Sequence, residues 1–108
     1  MYQNALSIHY TSNDSQIAPG DLILVDAAGQ YGGYCADITR TFPATGKFSE
    51  SQKRLYQAVL NVQKHCVTLC RADLGKSLDE IHRAAEQMLG KELEGLGFKL
   101  DYGVWSYM

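Results

Sequence analysis

Two aspartates set into apolar runs on either side of a glycine-rich reversal constrain this chain more than any other feature. The stretch reads Asp21-Leu22-Ile23-Leu24-Val25-Asp26-Ala27-Ala28-Gly29, then Gln30-Tyr31-Gly32-Gly33, then Tyr34-Cys35-Ala36-Asp37-Ile38-Thr39-Arg40-Thr41-Phe42-Pro43. An unbroken Leu-Ile-Leu-Val run predicts a strand covered on both faces. Tyr, Ile, Thr and Phe in the second run suit a returning strand, and the glycines supply the reversal. A reversal centred between Tyr31 and Gly32 sets Asp26 directly opposite Asp37, on the same sheet face, with Cβ atoms about 4.5–5.5 Å apart; a bulge would shift that register.

Two carboxylates so placed in a buried sheet repel each other and are costly to desolvate. Three arrangements relieve this: a shared proton, a cationic neighbour such as Arg40, or a divalent metal held by hard oxygen ligands. Arg40 fits poorly, because three residues from Asp37 in a regular strand is the opposite face. The plain alternative is that one aspartate caps a turn and the other is solvated.

The rest of the chain narrows the class. Its 108 residues permit one domain or part of one, and a net charge of -2 without a basic cluster excludes a nucleic-acid footprint. No apolar run reaches the ~20 residues of a membrane span, and the N-terminus lacks a secretory pattern. Three cysteines, Cys35, Cys66 and Cys70, argue against a disulfide framework or zinc knuckle, and Cys66 and Cys70 read as small buried apolar residues.

A short strand is expected over residues 6–11, with turns at Asn13-Asp14-Ser15 and Pro19-Gly20. Ser49-Glu50-Ser51-Gln52 and Ser77-Leu78-Asp79-Glu80 are capping boxes, each opening a helix. Leu55, Val59, Val62, Cys66 and Leu69 form the expected buried face of the first helix; Leu78, Ile81, Ala85, Met88, Leu89 and Leu93 form that of the second, which Gly95 and Gly97 stop. His65 and His82 read as solvated helix residues. Strands followed by helices give an α+β order.

The two aspartate segments, with Ile8-His9-Tyr10 upstream and Gly46-Lys47-Phe48-Ser49, Leu55-Tyr56-Gln57-Ala58-Val59-Leu60 and Gly75-Lys76-Ser77-Leu78 downstream, resemble aminopeptidase P and Xaa-Pro dipeptidase, pita-bread metallopeptidases. The resemblance covers roughly residues 6–98 and implies that residues 1–98 are the N-terminal part of a pita-bread catalytic domain, with 99–108 an unmatched tail. It implies a metalloaminopeptidase that removes the N-terminal residue from Xaa-Pro peptides, with Asp26 and Asp37 as ligands to two divalent ions, commonly Mn²⁺. His9 is then a substrate-binding residue, and Thr39, two residues beyond Asp37 on the same face, supports a ligand carboxylate. Arg40 and Thr41 belong to the motif as structural support.

The family site also needs a histidine and two glutamates from segments downstream of the second helix, which this sequence does not supply. The chain is therefore expected to represent a partial catalytic domain, inactive alone; the alternative is a non-catalytic truncated remnant or interaction module. A methionine aminopeptidase or creatine-type hydrolase is a weaker possibility, since Asp37-Ile38-Thr39-Arg40-Thr41-Phe42-Pro43 favours the proline-directed branch. A peptide substrate, no nucleic-acid or membrane partner, and a homodimer of the intact protein go with this resemblance. The compartment is mitochondrial or cytoplasmic: unpaired cysteines suit the cytosol, whereas similarity to the mitochondrial type of aminopeptidase P implies a transit peptide upstream of Met1.

Overall fold

The computed structural model describes residue 4 and residues 7–100. The chain divides into two compact units, residues 1–47 and 48–108. Strands β1 (Leu22–Tyr31) and β2 (Tyr34–Pro43) form the first unit's hairpin, and helices α1 (Glu50–Leu69) and α2 (Leu78–Gly95) form the second unit. This is the expected α+β order.

The hairpin begins at a turn that the sequence dictates. Pro19 fixes one central torsion and Gly20 takes φ +95°, the glycine position of a type II turn. The Asp21 amide donates to Ala18 O at 3.1 Å, while Asp21 Oδ2 accepts from the Ala18 amide at 2.8 Å. The carbonyl of Asp21 then accepts from the Ala44 amide at 2.9 Å, tying the far end of β2 to the start of β1.

At the other end the loop is Gly32-Gly33, with φ +58° and +85°. Both values are positive, as a two-residue type I′ turn requires. The reversal is therefore centred between Gly32 and Gly33, not between Tyr31 and Gly32, and Gly29 lies within β1. Tyr31 pairs Tyr34, Ala28 pairs Asp37 and Asp26 pairs Thr39. The direct Asp26–Asp37 pairing expected from symmetry is thus replaced by a diagonal one.

Two further expectations for this unit change. Residues 7–11 form no strand, and Leu6 lies outside the described residues. A strand needs a ladder partner, and this segment instead closes on itself through a side chain. The Tyr10 hydroxyl accepts from the amides of Asp14 at 3.0 Å and Ser15 at 2.9 Å, and Asn13, just before them, takes φ 47°. The cover expected on both faces of β1 is not found among the described residues: Leu24 on one face is 65% exposed, and Ile38 on the other 50%.

In the second unit both capping boxes form. Ser49 Oγ accepts from the Gln52 amide at 3.3 Å, and the Ser49 amide donates to Gln52 Oε1 at 2.9 Å. At α2 the Glu80 amide donates to Ser77 Oγ at 3.2 Å, and the Ser77 amide to Glu80 Oε2 at 2.9 Å. Lys76 Nζ adds an ion pair to Glu80 at 2.9 Å. These contacts hold the Glu80 carboxyl down at about 2, with the Ser77 amide the largest cause and Lys76 next.

Helix α2 ends at Gly97 alone, since Gly95 is its last helical residue. Gly97, at φ +91°, donates to Glu94 O at 2.9 Å, and the Phe98 amide donates to Leu93 O at 3.1 Å. These are the two bonds of a Schellman motif, which needs a left-handed residue at that position.

The helices pack on each other around Ala58 and Val62, 2% and 7% exposed. Asn61 bridges them: its Oδ1 accepts from Gln57 Nε2 at 2.8 Å and its Nδ2 donates to Glu92 Oε1 at 3.1 Å. The buried line on α1 therefore runs through Ala58 and Val62. Leu55 and Val59, expected on it, are exposed, and Cys66 and Leu69 are half-buried. On α2 the residues Ile81, Ala85, Met88, Leu89 and Leu93 are half-buried, while Leu78 at the first helical position is exposed. Periodicity marks the apolar stripe correctly, but one partner helix covers only part of a stripe this wide. His65 and His82 are exposed, as expected, and His82 Nε2 lies 3.3 Å from Glu86 Oε1. No helix of the described residues is long and apolar enough to cross a membrane.

Candidate metal centre

One face of the hairpin gathers the chemistry. Directly opposed residues share a face, so Asp26, Ala28, Thr39 and Asp37 lie together, with Gln30 and Cys35 toward the turn and Leu24 and Thr41 toward the other end. Asp26 and Asp37 are diagonal neighbours across the pair, a relation that places strand residues about 7–8 Å apart. Arg40 pairs Val25 on the opposite face, and its Nη1 donates to the Thr39 carbonyl at 2.8 Å rather than to either acid.

The two carboxylates have different surroundings. Thr39 Oγ1 donates to Asp26 Oδ1 at 3.2 Å. A threonine directly across the ladder is well suited to this, because branching at Cβ restricts its χ1. One Asp26 oxygen is thereby occupied and its plane oriented, while Oδ2 stays available. No hydrogen bond or ion pair engages the Asp37 carboxylate among the described residues. Both acids are exposed. Water screens their repulsion across the diagonal, so the chain tolerates both charges without the neutralising partner that a buried, directly opposed pair would need.

The donors suit a hard divalent cation: two carboxylates on one face, one oriented by a hydroxyl and neither committed to a cationic side chain. They fit as two ligands of a larger set, since no group of three or more His, Cys, Asp or Glu side chains able to hold a metal occurs among the described residues. His9 is exposed in the irregular segment before Tyr10, which the phenol ties to Asp14 and Ser15. Asp14 is held below the usual carboxylate range, chiefly by the Tyr10 hydroxyl.

The diagonal register is what symmetry alone misplaces. Its signal is the Gly32-Gly33 doublet, since a two-residue type I′ loop requires positive φ at both positions. The shift moves each partner by two residues, and an even shift preserves the face.

The sequence pattern of Metallopeptidase family M24 matches residues 2–105. The chain is 51% identical over 94 residues to Intermediate cleaving peptidase 55 of Saccharomyces cerevisiae, covering 87% of this chain and 18% of that protein. A crystal structure of Icp55 from that yeast superposes with a TM-score of 0.78 over 83% of this chain and 22% of the other, at 51% identity. Xaa-Pro aminopeptidase 3 of Dictyostelium discoideum is 43% identical over 94 residues, 87% of this chain and 18% of its own length. Intermediate cleaving peptidase 55, mitochondrial, of Arabidopsis thaliana is 37% identical over 94 residues, 87% of this chain and 19% of its own length. The chain thus spans about a fifth of the length of these relatives. With its α+β order, its hairpin and a sequence match that runs through both units, the chain belongs to metallopeptidase family M24.

Proposed function

We propose that this chain supplies two ligands, Asp26 and Asp37, to the divalent-metal centre of an aminopeptidase that releases the N-terminal residue of Xaa-Pro peptides. The observation that carries the reading is the shared face of the two carboxylates, fixed by the Asp26–Thr39 and Ala28–Asp37 register. Asp26 offers Oδ2 while Thr39 holds Oδ1, which makes Thr39 a positioning residue for that ligand. Asp37 offers both oxygens. His9, exposed ahead of the Tyr10 turn, is the substrate-contacting residue in this reading. The centre takes two ions, Mn²⁺ being the candidate, which when bound polarise a scissile carbonyl and make water acidic enough to act as nucleophile. The relatives' names support the peptide substrate, and that of the Arabidopsis relative supports a mitochondrial compartment.

A second reading holds for the 108 residues taken alone, as a non-catalytic remnant or interaction module. It is favoured by the two-ligand set, which leaves a dinuclear geometry unfixed among the described residues.

Titration with Mn²⁺, following the loss of the free-ion electron paramagnetic resonance signal, tests the first reading. Asp26→Asn and Asp37→Asn should each weaken binding about tenfold or more, and Thr39→Val should weaken it less than either. Parental affinity in both asparagine variants would overturn the assignment. Mn²⁺-dependent release of the first residue from an Xaa-Pro peptide by the 108-residue chain would overturn the second reading.

A further inference from the structure

A second cluster of metal-ligating side chains lies in the other unit. Cys66 and Cys70 are four residues apart at the C-terminal end of α1, and both are free thiols. As small buried apolar residues they would be enclosed, but Cys66 is only half-buried and Cys70 is exposed. Cys70 is the residue just past the helix, with φ -77° and ψ 62°. Its Sγ donates to Cys66 O at 3.3 Å, so the side chain folds back over the last turn toward the turn that carries Cys66.

The spacing selects the chemistry. Side chains at i and i+4 of a helix have Cβ atoms about 5–6 Å apart. A disulfide needs about 3.5–4.5 Å, so closing one would distort the last turn. A cation bound linearly between two sulfurs, taking the zinc–sulfur length of about 2.3 Å as a guide, holds them roughly 4–5 Å apart, a wider span than a disulfide's and one closer to the i,i+4 spacing. No third His, Cys, Asp or Glu side chain completes a metal-binding group there among the described residues, which removes the four-ligand geometry that structural zinc prefers. Soft thiolates without other donors favour Cu(I) among the biological metals.

The local electrostatics oppose an anion here. The last carbonyls of a helix form its negative end, and α1 has no basic residue in its last turn to offset it. Arg71, next in sequence, is committed to Asp73 by two hydrogen bonds of 2.9 and 2.8 Å. A monovalent cation on two thiolates carries one net negative charge, which this end of the helix opposes, so the metal–sulfur bonds have to outweigh that cost.

We propose that Cys66 and Cys70 form a two-coordinate intrachain site for a soft monovalent cation of the Cu(I) class. Binding forms two copper–sulfur bonds, breaks two S–H bonds and releases two protons to water, with no change in oxidation state. The site is independent of the acidic face and of the reading given to it.

The test uses the full 108-residue chain carrying Cys35→Ala, so that only the two thiols in question remain. Anaerobic titration with Cu(I) against a chromogenic Cu(I) chelator should give one ion per chain, and X-ray absorption should show two sulfur neighbours. Cys66→Ser and Cys70→Ser should each weaken binding at least tenfold. Cys66→Ala and Cys70→Ala should do the same, with far-UV circular dichroism reporting that α1 is retained. Parental affinity in any single-cysteine chain, or one ion shared between two chains in size-exclusion chromatography, would overturn the proposal.

Discussion

The face shared by Asp26 and Asp37 depends on two glycines, so the turn is where the candidate site can be broken without touching it. Gly32 and Gly33 have φ +58° and +85°, and a Cβ built on either meets nothing within 4 Å. Substitution there carries no steric clash with neighbours, and the whole effect is backbone strain. An L-residue other than glycine or asparagine in the left-handed region costs about 1–2 kcal/mol. At the first turn position asparagine is well tolerated, and it restricts the unfolded chain, which contributes up to about 1 kcal/mol of stability. Gly33→Ala should therefore weaken the paired hairpin by about 1–2 kcal/mol, whereas Gly32→Asn should be neutral or mildly stabilising. An isolated two-stranded hairpin is marginal in water, so a loss of that size shifts a substantial part of the population out of register. A one-residue slip carries Asp37 to the opposite face from Asp26. If Mn²⁺ requires both acids on one face, Gly33→Ala should lower its apparent affinity about 5–30-fold, at a tenfold change per 1.4 kcal/mol. Cross-strand nuclear Overhauser contacts between Asp26 and Thr39 report the register, and electron paramagnetic resonance reports the metal. Equal effects of the two substitutions, or loss of Asp26–Thr39 contacts with unchanged Mn²⁺ affinity, would refute the argument.

Two further predictions concern the helical unit. The Glu80 carboxyl sits at about 2 in the folded chain, below its ordinary 4.5. Its contribution to the α2 N-terminus is therefore fully present above pH 4.5 and lost as pH falls toward 2; helicity followed by circular dichroism should fall across that window, and Glu80→Gln should flatten that part of the curve. Ala58 is 2% exposed where α1 meets α2, so Ala58→Leu should overpack that contact at a cost of about 1–3 kcal/mol. A thermal melt read at 222 nm checks this, with Gln63→Leu on the exposed side of α1 as the control that should leave the midpoint in place.

Features fixed by neighbouring residues were legible in the sequence. The Ser49–Gln52 and Ser77–Glu80 boxes are local hydrogen-bond geometries, and their spacing alone identifies them. The hairpin is equally plain, but its register is less so: Gly29, Gly32 and Gly33 all permit a reversal, and the Gly32-Gly33 doublet points to the turn that the backbone torsions then identify. Centring the reversal on Tyr31 and Gly32 displaces each partner by two residues, an even number, which keeps Asp26, Asp37 and Thr39 on one side of the sheet but misplaces their mutual distance. Leu55, Val59 and Leu78 show a different limit. Their spacing says which side of a helix is apolar, whereas burial depends on what lies against it, and that is not a property of the helix's own sequence. Residues 7–11 make the same point for strands, since a β-prone segment without a ladder partner yields to the local bonds of the Tyr10 hydroxyl.

If Asp26 and Asp37 share an ion, as proposed, metal binding and hairpin pairing become one equilibrium. Asp26 and Asp37 come from different strands, so an ion that needs both binds only the paired state. Such a ligand stabilises that state by about 2.7 kcal/mol at a concentration one hundred times its dissociation constant. That exceeds the 1–2 kcal/mol estimated above for Gly33→Ala. Saturating Mn²⁺ should therefore restore the register that Gly33→Ala weakens, and it should do nothing for a chain that also carries Asp37→Asn. Amide hydrogen exchange over Leu22–Tyr31 and Tyr34–Pro43 gives the readout: protection should rise with Mn²⁺ in the parent and in Gly33→Ala, and stay low in the double variant. Because the exchange is measured along both strands, binding to Asp26 or Asp37 singly would show as occupancy without protection. That pattern would mean that the two carboxylates do not share an ion.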